Sequence, residues 1–218
     1  MSVLQRWLDD LEKSRAREVV FQVHYWMGIV VGAYIFLMSI TGSMMVFRNQ
    51  ISRRYSLAWL ADLHENLFLG STGRLMNGVG AICLTLLCVT GAVIWWPGYQ
   101  HWRRSLTVSW NLNFPRISWD LHSALGFWCF LFVSIWGLSG VYLIFPQLFN
   151  VLLFFDRKDR FTDAGLYWLS AMHFGRFGWF TETIWAILGL VPAILAFTGF
   201  FICCRRVILG KSSNPKHV

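Results

Sequence analysis

The chain has 218 residues, of which 56% are hydrophobic, 17% aromatic and only 14% charged. So few charges leave too little polar surface to face water, which excludes an ordinary soluble domain. The net charge of +8 does not point to nucleic acid either, because the basic residues scatter among the ends of apolar stretches rather than gather into one stripe.

In chain order, Ser2 to Glu18 places Leu4, Trp7, Leu8 and Leu11 on one helical face and Arg or Lys elsewhere, which predicts an amphipathic surface helix over residues 1–18. Four apolar stretches follow, near Val19 to Phe47, Leu75 to Trp96, Leu121 to Phe145 and Ile184 to Cys204. Each is long enough for the ~20 residues that cross a ~30 Å hydrocarbon core. Lipid offers exposed backbone no hydrogen-bond partners, so the spans must be helices and the fold is an all-α bundle of four transmembrane helices over residues 19–206. The first run is too long for a signal-peptide core and lacks a cleavage pattern, so it is expected to be retained.

Between the spans, the segments Arg48 to Thr72 and Gln147 to Phe180 are expected to be short and to carry little independent structure, with Phe149 to Phe155 and Leu166 to Leu169 along the interface. Residues 207–218 form a C-terminal tail. The N-terminal segment, the Pro97 to Ser118 loop and the stretch from Arg205 to the end of the tail hold eleven of the nineteen Lys and Arg, which predicts both termini in the cytoplasm.

Cys83, Cys88, Cys129, Cys203 and Cys204 all fall within or at the ends of spans, and none forms a Cys-x-x-Cys pair. Their placement in spans argues against an extracytoplasmic disulfide framework, and the lack of Cys-x-x-Cys-His against covalent c-type haem attachment. The ordinary role for these residues is as small buried hydrophobes.

The two halves of the chain match when superposed, residues 19–96 against 119–205. His24-Tyr-Trp-Met-Gly28 and then Ser39-Ile-Thr-Gly42 correspond to His122-Ser-Ala-Leu-Gly126 and then Gly137-Leu-Ser-Gly140. The companion helices match more loosely, Leu63-His64 with Gly70, Gly73 and Thr90-Gly91 against Met172-His173 with Gly175, Gly178 and Thr198-Gly199. Two helices per repeat make a parallel repeat, which pairs His24 with His122 at one membrane face and His64 with His173 at the other.

A lone histidine at a helix end is more often a hydrogen-bonded buried residue than a ligand. Here four of the six histidines form two matched pairs, while His101 and His217 fall in basic segments that suit surface roles. Two facing neutral imidazoles can bind a metal directly or occupy both axial positions of a haem iron. Gly28 and Gly126 lie one turn from His24 and His122 and clear the side chain that a porphyrin edge would strike. Gly42 and Gly140, eighteen residues on, return to the histidine stripe about 27 Å along the axis and are expected to clear space beside His64 and His173. Tight helix packing is the competing use for such glycines, and interfacial belts are the commoner use of tryptophans such as Trp26, Trp95, Trp96, Trp128, Trp136 and Trp185.

With both axial positions filled, a haem is left to exchange electrons alone, so the residues predict electron transfer through two b-type haems bound by His24, His122, His64 and His173. Haem propionates would pair with Arg74 or Arg176 at one face and with Arg103, Arg104 or Arg205 at the other. A transporter whose histidines bind a metal or protons is the alternative of another class. Against it stand the lack of a broken span and of a carboxylate deep within one.

The motifs His24-x-x-x-Gly28, Leu63-His64 with Gly70-Ser-Thr-Gly-Arg74, Thr90-Gly91 to Trp95-Trp96-Pro97, Leu121-His122-x-x-x-Gly126 and His173-Phe-Gly-Arg-Phe-Gly178 occur in this order. From Val19 to Arg206 the chain resembles the PepSY-associated transmembrane family, bacterial iron-regulated inner-membrane proteins that include ferric-siderophore reductases. The resemblance implies a haem-b-containing multi-pass protein of the bacterial inner membrane. Such a protein takes electrons from a cytoplasmic reductase or membrane quinol and passes them to a periplasmic ferric chelate or redox partner. Family members usually carry sizeable periplasmic segments between helices one and two and between three and four, and both are short here. That departure makes a cytochrome b anchor of a quinol-linked complex the second redox reading. No nucleotide-binding motif is present, so any nicotinamide or flavin donor belongs to another protein.

Overall fold

The computed structural model describes residues 15–51, 56–95, 102–148, 160–175 and 177–212, and every regular element among them is a helix. Helix α1 spans Arg15–Val46 and is followed by a single turn at Arg48–Ile51, α2 at Ala58–Asn66 and α3 at Gly70–Trp95. After a 3-10 turn at Trp102–Leu106 come α4 (Phe114–Trp128), α5 (Phe130–Ile144), α6 (Arg160–Phe174), α7 (Trp179–Gly189) and α8 (Val191–Ser212). Three helical runs, namely α1, α3 and α7 with α8, are long and apolar enough to cross a membrane, and α4 with α5 makes a fourth if the pair is one span.

The distribution of side chains is that of a protein dissolved in lipid. Val30, Leu131 and Trp179 are 77%, 70% and 79% exposed, while Ser39, Thr41, Ser139 and Thr198 are buried. Lipid tails are as apolar as leucine, so nothing drives large apolar side chains inward, and small residues that let backbones approach fill the interior instead.

The helices divide into two compact units. The first takes Met1–Ala33, Leu87–Phe130 and Ile194–Val218. Within it Arg17 donates from Nη2 to the Ile94 carbonyl at 2.9 Å, and Trp95 stacks on Phe127 with ring centres 4.5 Å apart. The second takes Tyr34–Leu86 and Leu131–Ala193. Close helix contact in this unit rests on Gly137, where a Cβ would come within 2.6 Å of Thr85 Oγ1, and on Gly189, where it would come within 2.5 Å of Ser43 Oγ.

Pro192 in the first turn of α8 lacks an amide hydrogen and ends α7 at Gly189, which frees backbone groups in a segment where lipid cannot pair them. Ser39 of α1 restores the balance. Its hydroxyl donates to the Gly189 carbonyl and accepts from the Ala193 amide at 3.0 Å.

Four expectations from the sequence need correction. The third apolar stretch is broken at Cys129, whose amide bonds back to the carbonyls of Leu125 and Phe127, so the expectation of an unbroken span fails. Helix α4 also begins earlier than predicted. Asn113 caps it by accepting the Arg116 amide at 3.2 Å, and Pro115 suits the first turn. This early start draws Asp120 into the helix, where it is 3% exposed, accepts the Ser109 amide at 3.1 Å and pairs with Arg116 Nε at 2.9 Å.

The segments expected to carry little structure instead hold α2 and α6. Leu60 of α2 is buried to 1% exposure, so packing stabilises a nine-residue helix that would be marginal alone. Helix α1 runs without interruption from Arg15, so no boundary falls at residues 18 and 19. The rest of the predicted surface helix, the Phe149 to Phe155 patch, His101, His217, Arg176 and the end of the tail lie outside the described residues.

Candidate haem-binding site

In the first unit, His24 projects from the third turn of α1 and His122 from the third turn of α4. Their ring centres are 6.3 Å apart, with planes at 84°. Nδ1 of His24 lies 3.0 Å from Thr90 Oγ1 on α3, and Nδ1 of His122 lies 3.1 Å from Thr198 Oγ1 on α8. The next residue in each case is a glycine that seats the ring. A Cβ at Gly91 would come within 3.2 Å of His24 Cε1, and one at Gly199 within 3.0 Å of His122 Cε1.

In the second unit, His64 stands in the last turn of α2 and His173 in the last turn of α6, on short helices rather than on spans. Nδ1 of His64 lies 2.8 Å from Thr41 Oγ1, and Nδ1 of His173 lies 2.7 Å from Ser139 Oγ. Each short helix is held by the helix that follows it. Asn77 of α3 donates to the His64 carbonyl at 2.8 Å, and Trp185 of α7 donates from Nε1 to the Met172 carbonyl at 2.6 Å. These bonds satisfy carbonyls that a helix C-terminus leaves without intrahelical partners.

Burial pushes the His64 imidazole down to about 4 from its ordinary 6.5. Burial does the same to His173, with the nearby His64 ring adding a smaller push in the same direction. Both rings are therefore neutral near pH 7, the state in which imidazole nitrogen can ligate a metal.

The residues present fit an iron porphyrin in the first unit. Two imidazoles that shared one metal ion through bonds of about 2 Å would stand roughly 6 Å apart, centre to centre. The observed 6.3 Å agrees. A Cβ added at Gly28 or Gly126 would meet nothing within 4 Å. Among the described residues no group of three His, Cys, Asp or Glu is placed to hold a bare metal ion. A porphyrin brings the four nitrogens that such a pair would otherwise have to recruit from the protein.

Beside the second pair, the anticipated role of two glycines needs correction. Gly42 makes room for the His64 ring itself, since a Cβ there would come within 3.0 Å of Cε1. Gly140 abuts Ala81, whose Cβ would lie 3.0 Å from one added at the glycine, so its smallness serves helix packing. Arg74 is exposed, with Nη2 3.5 Å from the Leu143 carbonyl. Arg103 lies over the Trp102 ring, and Arg205 is exposed on α8.

The structure thus sets the His24 and His122 rings 6.3 Å apart in the first unit and His64 within electrostatic reach of His173 in the second, and it adds Thr90, Thr198, Thr41 and Ser139, to which the sequence assigned no role. A signal for them existed. Each belongs to a Ser/Thr–Gly dipeptide, Thr41-Gly42, Thr90-Gly91, Ser139-Gly140 and Thr198-Gly199, repeated in both halves of the chain.

Fold and site together define a multi-pass helical membrane protein with two paired-histidine centres. The sequence model of the family described as PepSY-associated TM region matches residues 21–56 and 52–158, and the chain belongs to that family. It is also 30% identical over 88 residues to "Uncharacterized protein PA4219" of Pseudomonas aeruginosa, an alignment covering 39% of this chain and 21% of the relative. The chain therefore spans about a fifth of that curated relative's length. No solved structure matches it.

Proposed function

We propose that this chain carries electrons across the bacterial inner membrane through two b-type haems, one bound by His24 and His122 and the other by His64 and His173. The observation that carries the reading is the 6.3 Å separation of the His24 and His122 rings beside the open positions at Gly28 and Gly126. A haem b held by two histidines supplies a one-electron ferric/ferrous couple with no coordination position left for substrate.

The chain's own contribution is to bind, orient and enclose. The helices present neutral imidazole nitrogens at each site, and the surrounding apolar residues exclude water. Arg74, Arg103 and Arg205 supply cations for propionate carboxylates. With both termini in the cytoplasm, the electron donor is a cytoplasmic reductase or membrane quinol. The acceptor is a periplasmic ferric chelate or redox partner, as the ferric-siderophore reductases of the family resemblance suggest. Among the described residues, the element between the Arg48–Ile51 turn and α3 is the nine-residue α2, a shallow platform for a bulky chelate. That favours, as a second reading, an anchor subunit that hands electrons to a separate partner.

The test is an anaerobic optical spectrum of the purified chain. Reduction with dithionite should give a haem b spectrum with about two haems per chain, and a colourless, iron-free protein overturns the proposal. Co-purification of a second subunit, with reduction by quinol and not by a cytoplasmic reductase, would select the anchor reading.

A further inference from the structure

All four histidines meet a hydroxyl through the same ring nitrogen, Nδ1, and every one of those hydroxyls already has a destination for its proton. Thr41 Oγ1 donates to the Leu37 carbonyl at 2.9 Å, Thr198 Oγ1 to that of Ile194 at 2.7 Å and Ser139 Oγ to that of Ile135 at 2.5 Å, each one turn back along its helix. Thr90 Oγ1 donates to the Leu87 carbonyl at 3.3 Å. A hydroxyl owns one proton. With that proton committed to the backbone, the oxygen can only accept from the imidazole, so Nδ1 carries the hydrogen and Nε2 keeps a bare lone pair.

The geometry points to Thr41, Thr90, Ser139 and Thr198 as positioning residues that set the histidine tautomer, offering Nε2 of each ring to a metal centre while the following glycine seats the ring's Cε1 edge. The glycine part of the device holds at Gly42, Gly91 and Gly199, and at Gly140 the same position packs on Ala81 instead. The inference rests on the haem reading for the identity of the metal centre, and on the hydrogen bonds alone for the tautomer.

A second consequence follows from the acceptor's chemistry. A neutral hydroxyl whose own proton is spent on a carbonyl draws on Nδ1–H less strongly than a carboxylate would, yet it still raises the basicity of Nε2 relative to an unpartnered ring. Removing the hydroxyl leaves a less basic ligand, which stabilises ferric iron less and raises the reduction potential of the haem it serves.

The test uses the full chain in lipid nanodiscs, labelled with ¹⁵N at histidine and prepared without and with haem. In the haem-free protein the ¹⁵N shifts should show hydrogen on Nδ1 and a bare Nε2. Thr41→Val should abolish that preference at His64, weaken haem binding at its site by roughly 10–100-fold and raise the potential of the haem that remains. Ser139→Ala should do the same through His173, and Thr41→Ser should restore the wild-type tautomer and potential. Hydrogen found on Nε2 in the wild type overturns the inference, as does a Thr41→Val protein of native helicity with unchanged tautomer, affinity and potential. A wild-type chain that shows the Nδ1–H tautomer yet takes up no haem leaves the positioning role standing and removes the haem reading alone.

Discussion

The two histidine pairs reach similar ends by different construction. In the first unit the rings stand in the third turns of α1 and α4, where the backbone is already paired within the helix, and a Cβ at Gly28 or Gly126, one turn further on, would meet nothing within 4 Å. In the second unit the rings stand at the ends of the short helices α2 and α6. There position depends on side chains of neighbouring helices, Asn77 and Trp185, that tie down terminal carbonyls. A histidine in a helix interior inherits its geometry from the helix, whereas one in the last turn of a helix, as in α2 and α6, has to be held from outside.

The largest effect that would sharpen this contrast comes from the ligands themselves. His122→Ala should remove about one haem per chain, with the reduced spectrum keeping the contribution of the second unit, and His173→Ala should remove the other. If either substitution bleached both centres, the independence of the two units would be lost. A smaller effect separates the glycines. Gly126→Leu fills open space, so haem uptake in the first unit should drop while the unfolding midpoint barely moves. Gly140→Leu drives a side chain into Ala81, and overpacking of that kind costs about 1–3 kcal/mol, measured as a lower midpoint in denaturant.

Next in size is the tether of α2. Asn77→Leu strands the His64 carbonyl and should cost about 1 kcal/mol, with faster amide exchange at Leu63 to Leu67 and no change around His24. Equal acceleration in both regions would show that the tether is not local. A further expected effect is on pH. His64 and His173 titrate near 4 in the fold and near 6.5 when unfolded, so the unfolded chain takes up protons first as the pH drops. Their contribution to the stability of the haem-free second unit is present above about pH 6.5 and is lost progressively toward pH 4. Thermal unfolding between these limits checks it, and a flat profile would place both rings in water.

What the sequence determined by itself is what lipid enforces locally. Apolar stretches of sufficient length become helices because no other structure satisfies the backbone there. The spacing of His24 to Gly28 and of His122 to Gly126 keeps each couple on one helix face at any tertiary arrangement. Other features could not be read in this way. Nothing in Phe127-Trp128-Cys129-Phe130 is a helix breaker, so the interruption at Cys129 was invisible. Leu60 marks α2 as a helix only once a neighbour covers it. Gly42 and Gly140, identical in register, took different neighbours, a histidine ring and an alanine methyl. The hydroxyl partners of His24 and His122 lie 66 and 76 residues away in the chain. Tertiary structure decided these points because each depends on which helix stands beside which, and helical periodicity says which residues share a face but not what that face will meet.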